Sequence, residues 1–214
     1  MSKLFVDEIV HQSSQGSGTI TLGASGETIN IPSGVTLTNN GTQTGLTLSD
    51  NILFNTASKG IYLGVTSATA SNLLDDYEEG TWTPQYDNNS DNLAVTYDIQ
   101  LGTYRKIGSV VFISGTLRTS SVTRSGVWIK IDNLPFAITT SATDSEIGGL
   151  NIHEATAFDT DHPFTGLCKV SVAGFILNYR SSANGNTIFL QDGDMATGTT
   201  SNKTAFSGFY FTDA

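Results

Sequence analysis

Cysteine is almost missing from this chain of 214 residues. Cys168 stands alone, so no disulfide forms within the chain, and a disulfide-stapled secreted module is excluded. Charge is also sparse, at 14% of residues, and one-sided: 20 acidic against 10 basic side chains leave a net charge of −10. A phosphate-binding face needs basic residues, so the balance argues against nucleic acid as a partner. Anionic membrane surfaces offer no attraction either. No apolar run reaches the length of about 18 residues that marks a membrane span. The LeuPheVal after Lys3 is too short for the core of a secretory signal. These gaps predict a protein made and assembled inside a cell, with no membrane insertion. Proline is scarce (4) while glycine is plentiful (22), a mixture that suits short strands and tight turns. Low charge and many β-branched residues argue against disorder.

What is present changes texture at residues 73–84, LeuLeuAspAspTyrGluGluGlyThrTrpThrPro. Before this seam, apolar residues come in pairs one residue apart: Ile20/Leu22, Ile29/Ile31, Val35/Leu37, Leu46/Leu48, Ile52/Phe54 and Ile61/Leu63. Period-two spacing puts each pair on one face of a short strand, with glycines between pairs for the turns. Two apolar residues per strand bury too little to hold such a segment alone. Ordering each residue costs about 1–2 kcal/mol, while burying one Val or Ile returns about 1.5–3 kcal/mol. Several copies wrapped around one axis, pairs inward, remove the deficit. A homotrimer is the simplest such closed arrangement. The predicted layout is therefore a docking segment at 1–18, an intertwined β stalk at 19–72, an acidic junction at 73–84 and a head at 85–214.

After the seam the pattern is that of an antiparallel β domain. Residues 102–117 read as two strands around a turn at 106–108. Val127, Ile129 and Ile131 alternate with Trp128, Lys130 and Asp132. Residues 169–177, 187–191 and 206–212 read as further strands, with turn clusters at 181–186 and 191–194. Many short strands and no amphipathic helix predict an all-β fold, a sandwich or jelly roll.

GluGluGlyThrTrpThrPro (78–84), GlyThrTyrArgLysIleGly (102–108) and AsnLeuProPhe (133–136) closely resemble a module of tail-fibre-like proteins of bacteriophages. Residues 19–41 resemble the N-terminal stalk repeats of phage structural proteins. The resemblance implies a homotrimeric virion fibre with a jelly-roll tip, similar in plan to the trimeric heads of complement-type and necrosis-factor-type domains.

Few constellations point to chemistry. Asp75, Asp76, Glu78 and Glu79 have the oxygen ligands of a calcium site but lack an EF-hand pattern, and a solvated collar at the junction is expected instead. Trp82 is expected to plug the base of the head. His153, Glu154, Asp159, Asp161 and His162 have residue types that bind zinc or move protons, yet no HExxH spacing. An exposed loop at the tip of the head is the expectation there. Asp192 and Asp194 read as turn formers, although they are a carboxylate pair of the kind a glycosidase uses. No nucleophile elbow, phosphate loop or dinucleotide fingerprint appears, so neither catalysis, metal nor cofactor is expected. Cys168 reads as a small buried hydrophobe. Trp128, Tyr179, Arg180, Asn184 and Asn186 are the candidate ligand-binding residues, because aromatic faces beside amides hold sugar rings; packing is the competing reading for each.

The leading expectation is a virion fibre assembled in the host bacterial cytoplasm. Its N-terminus would anchor to another virion protein, and its head would face outward to bind host-surface glycan. A head fibre or capsid decoration protein is the alternative, and a small virion-associated hydrolase a third.

Overall fold

The computed structural model describes residues 52–54, 58–65, 67–88, 93–124, 126–140, 146–169, 172–182 and 185–213. The docking segment expected at 1–18 and the apolar pairs from Ile20/Leu22 to Leu46/Leu48 lie outside the described residues, as does Asn184. The chain divides into two units, 1–52 and 53–214, and every described strand belongs to the second.

The described part is all-β, with no α-helix. A short ribbon pairs β1 (Ile61–Tyr62) with β2 (Leu73–Leu74). Ten further strands form one antiparallel sheet: β3 (Tyr77–Trp82), β4 (Gln85–Asn88), β5 (Ala94–Ile107), β6 (Val110–Thr123), β7 (Ile129–Asp132), β8 (Glu146–Thr156), β9 (Thr165–Lys169), β10 (Phe175–Arg180), β11 (Thr187–Phe189) and β12 (Ser201–Phe211). Their order across the sheet is β3-β5-β6-β12-β8-β9-β10-β7-β4, with β11 added beside β10.

The two ends of this order, β3 and β4, are consecutive in the chain. Only Thr83 and Pro84 join them, so the sheet must roll over on itself. The roll is sealed by side chains: the Tyr86 amide donates to the Tyr97 hydroxyl at 2.7 Å, and Gln100 Nε2 donates to the Pro84 carbonyl at 2.9 Å. The rings of Tyr86 and Tyr97 stack at 6.3 Å, and burial raises both phenols well above their ordinary pKa.

Rolling places the β5-β6-β12-β8 half opposite the β9-β10-β7-β4 half, with inward side chains from both between them. Val111, Leu117, Ile129, Ile131, Leu177 and Tyr210 are fully buried there. Phe175 and Tyr210 meet edge to face across the core, centroids 6.0 Å apart. Cys168 packs among them, and burial pushes its thiol up to about 12, consistent with a small hydrophobe.

Within the seam, residues 73–74 belong to the ribbon and residues 77–82 are a strand of this sheet, with Asp75, Glu78 and Glu79 exposed. Along β3, Glu78 sits opposite Lys106 and Glu79 opposite Arg105. Glu79 bonds Arg105 at 3.3 Å, Glu78 accepts from the Tyr104 hydroxyl, and Asp76 pairs with the buried Lys106. Three of the four carboxylates therefore answer cross-strand donors instead of facing only solvent. The Tyr77 hydroxyl and Arg105 hold the Glu79 carboxyl below its usual range. Trp82 is buried at the end of β3. Its indole lies over Gly102 and meets Phe206 edge to face at 6.2 Å.

Several strands differ from the sequence expectation. The hairpin turn falls at Gly108 and Ser109, where Gly108 has a φ of +55°. Residues 169–177 are not one strand. β9 ends at Lys169 and β10 begins at Phe175, with a reversal between them that returns the chain antiparallel to itself. β12 starts five residues earlier than Phe206, at Ser201.

Candidate functional site

Two exposed surfaces and one side-chain pair stand out. The first surface lies on the β10–β11 hairpin, where four of the five candidate ligand residues are described. Strand alternation sends Tyr179 and Arg180 to opposite faces. Tyr179 packs against the core; burial and then the charges of Asp161 and Asp194 raise its pKa. Arg180 points outward, its guanidinium 5.1 Å above the Phe164 ring, a cation–π arrangement. Trp128 bridges to Gln191 through its backbone, and its ring lies 6.3 Å from that of Phe189. Phe189 sits opposite Asn178, so it shares the outer face with Arg180. Asn186 is exposed just ahead of β11.

The structure thus keeps Trp128 and Arg180 on one aromatic face, adds Phe164 and Phe189, and turns Tyr179 away. Within this face the Asn178 Oδ1 is buried with no hydrogen-bond partner. Phe189 falls in the stretch 187–191 that the sequence marks as a strand, but Ile188 and Phe189 are both exposed, so alternation does not single it out. Phe164, ahead of β9, carries no such signal.

The stretch from His153 to His162, expected as a loop, is half strand. His153 and Glu154 belong to β8, which runs from Glu146 to Thr156. His153 Nε2 lies 2.7 Å from Ser207 Oγ on β12, and Asn151 Nδ2 lies 3.4 Å from His153 Nδ1. His162 instead meets Phe158 edge-on at 5.7 Å. Ser, His and Asn in a line are the types of a nucleophile, a base and an orienter. However, Ser207 sits mid-strand, paired with Ser114 on one side and Asn151 on the other. No sharp turn presents its Oγ, and the nearby amides belong to the ladder, so among the described residues no oxyanion hole accompanies the pair. Thr103, Ser114, Ser207 and His153 line an open trough of about 730 Å³ on this outer face.

Beside the trough is the second surface. Phe112, Phe209 and Phe211 project outward from β6 and β12, with Ile107 of β5 beside them. Phe112 and Phe209 sit directly opposite each other, rings 6.4 Å apart, and Phe209 meets Phe211 at 5.9 Å.

Asp192 is fully buried, unlike a glycosidase carboxylate facing substrate. Its Oδ1 accepts the amides of Gly126 at 2.6 Å and Val127 at 3.2 Å, and it opens a short 3-10 turn. Asp194 closes the same turn by accepting the Gln191 amide at 2.9 Å. Asp192→Ala leaves two amides without their acceptor and is expected to cost about 2–3 kcal/mol of stability. Asp192→Asn, which keeps one acceptor oxygen, is expected to lose about half of that. Urea unfolding of both variants measures the difference; equal stabilities for wild type and Asp192→Ala would refute the role.

Comparison with known proteins finds no matching family, no matching curated protein and no matching solved structure.

Proposed function

We propose that this chain is a structural component of a bacteriophage virion. It acts as a homotrimeric fibre, anchored through its N-terminus to another virion protein. Its C-terminal head, of jelly-roll plan, is presented outward for attachment to host-surface glycan. The reading includes no catalytic activity.

The observation that carries the attachment role is the outer β10–β11 face. Phe189 and the Arg180–Phe164 pair, with the half-buried Trp128 beside them, present aromatic rings beside a guanidinium on one face. Flat aromatic faces hold sugar rings, and a cation nearby suits an acidic sugar. The sequence resemblance supports the virion setting. The rolled sheet supports a compact head beginning soon after the apolar pairs of the preceding segment.

The test uses the full chain. Light scattering is expected to give three times the 22.7 kDa chain mass. Labelled protein applied to immobilised bacterial polysaccharides is expected to bind, with Trp128→Ala or Arg180→Ala weakening binding at least about 10-fold. An antibody against the head, applied to intact phage particles, is expected to mark a few sites per particle. Dense labelling over the capsid would instead establish a decoration protein. Absence of binding to any polysaccharide would remove the attachment role.

A further inference from the structure

We infer that the outer face of β5, β6 and β12 is the surface through which copies of this chain pack against one another. The inference rests on the homotrimer reading above and names the face it uses.

The apolar area is of the right size. Leu101, Ile107, Phe112, Phe209 and Phe211 are between 38% and 67% exposed, although strand alternation could as readily have placed polar residues there. With side-chain areas of roughly 150–250 Å², the five expose about 450 Å² of apolar surface on one sheet face. A stable interface takes about 800 Å² from each partner, and about 65% of it is apolar in homodimers. The five side chains therefore supply nearly the apolar share that a homotypic contact requires, and their sum falls within the roughly 300–600 Å² of the largest, often functional, patch on a monomer surface.

Charge favours the same face. Any second copy carries the same net charge of −10, so copies approach most easily where that excess is absent. On this face the charged groups come in opposite pairs: Arg105 with Glu79 at one border, and Arg118 with Asp98 at 2.8 Å at the other. The Arg118 guanidinium holds the Asp98 carboxyl below its usual pKa range. Between these pairs lie phenylalanines and the small hydroxyls Thr103, Ser114 and Ser207, which let a facing sheet approach closely.

The apolar strip is also continuous with the residues ahead of the sheet. Leu63, Leu74 and Ile107 line a single cleft where the β1–β2 ribbon meets the β5–β6 turn. Farther toward the N-terminus, Leu53 and Phe54 are exposed as well. In the sequence, a long segment of apolar pairs precedes them and needs the same kind of partner. One set of neighbours, other copies of this chain, serves them all.

The test compares the full-length wild type with Phe209→Asp by sedimentation equilibrium. The substitution places a carboxylate in the centre of the patch, on a side chain that the core does not use. Self-association is expected to weaken on the order of 100-fold or more, with an unchanged far-ultraviolet spectrum. A trimeric wild type with an equally trimeric Phe209→Asp overturns this surface and leaves the homotrimer reading intact. A wild-type dimer dissociated by Phe209→Asp upholds the surface and overturns the trimer. A monomeric wild type overturns both. Should Phe209→Asp misfold, cross-linking decides. Ile107→Cys is expected to join into covalent oligomers with a short bismaleimide, while Thr187→Cys on the opposite half is not. The reverse pattern, or equal cross-linking at both positions, overturns the surface.

Discussion

Trp82→Ala is expected to lower the unfolding free energy by about 3–5 kcal/mol, as removal of a buried aromatic does. That is a large share of the roughly 5–15 kcal/mol that holds a typical domain. The position of the ring accounts for the size of the loss. Trp82 ends β3, opposite Gly102 of β5. Its indole crosses β5 to reach β6, and Nε1 donates to the carbonyls of Thr103 at 3.2 Å and Ser114 at 3.3 Å. A Cβ on Gly102 would come within 2.6 Å of the indole Cδ1, and one on Gly115 within 2.6 Å of the Phe206 ring. Two aromatic rings thus lie over a pair of glycines on neighbouring strands, and deleting one ring opens a hole that backbone cannot fill. Trp82→Phe keeps most of the packing and loses the donor, so it is expected to cost less than half as much. Urea titrations followed by circular dichroism measure both. A loss under about 1 kcal/mol for Trp82→Ala would mean that the ring does not hold β3 to the sheet.

Asn202 is expected to be nearly as sensitive. It is fully buried, with a φ of 49°. Its Nδ2 donates to Thr119 Oγ1 and to the Ala196 carbonyl, both at 2.8 Å, and its Oδ1 accepts the Ala196 amide at 2.7 Å. Its own carbonyl accepts from the Tyr86 hydroxyl at 2.9 Å. One side chain thereby ties β6 to the turn ahead of β12, while its backbone holds β4. Asn202→Ala removes three hydrogen bonds at a buried site and leaves a Cβ residue without side-chain compensation in the left-handed region. The expected loss is about 3–4 kcal/mol. Asn202→Gly relieves the backbone part only, and is expected to recover about 1 kcal/mol relative to the alanine variant. Thermal unfolding of the pair separates the two contributions. A glycine variant less stable than the alanine one would show that the left-handed backbone carries no strain here.

Only the turn-proximal part of the long β5–β6 hairpin, residues 102–117, is legible in the sequence, because β-branched and aromatic residues flank a short turn there; the outer ends at 94–101 and 118–123 are not. β8 is not legible. Its Gly148 and Gly149 carry no strand propensity, yet β12 approaches so closely there that a Cβ on Gly148 would collide with Tyr210. The acidic run is half legible. Glu78 and Glu79 mirror Arg105 and Lys106 in antiparallel order, a complementarity that becomes visible once β3 is placed beside β5. Trp128 and Arg180 stand out in the sequence as an aromatic and a cation near one hairpin, and the separation of Tyr179 from them follows from strand alternation. The His153–Ser207 contact has no local signal, because it exists only through the pairing of β8 with β12.

The sealed roll also decides how this sheet can meet its neighbours. An edge strand with free amides invites a strand from another molecule to join it. Pro84, just ahead of β4, has no amide to offer, and the amide of Tyr86 is already taken by the Tyr97 hydroxyl. Chain growth by strand addition finds few open donors along this border. However crowded the copies become, strand addition along β4 is disfavoured.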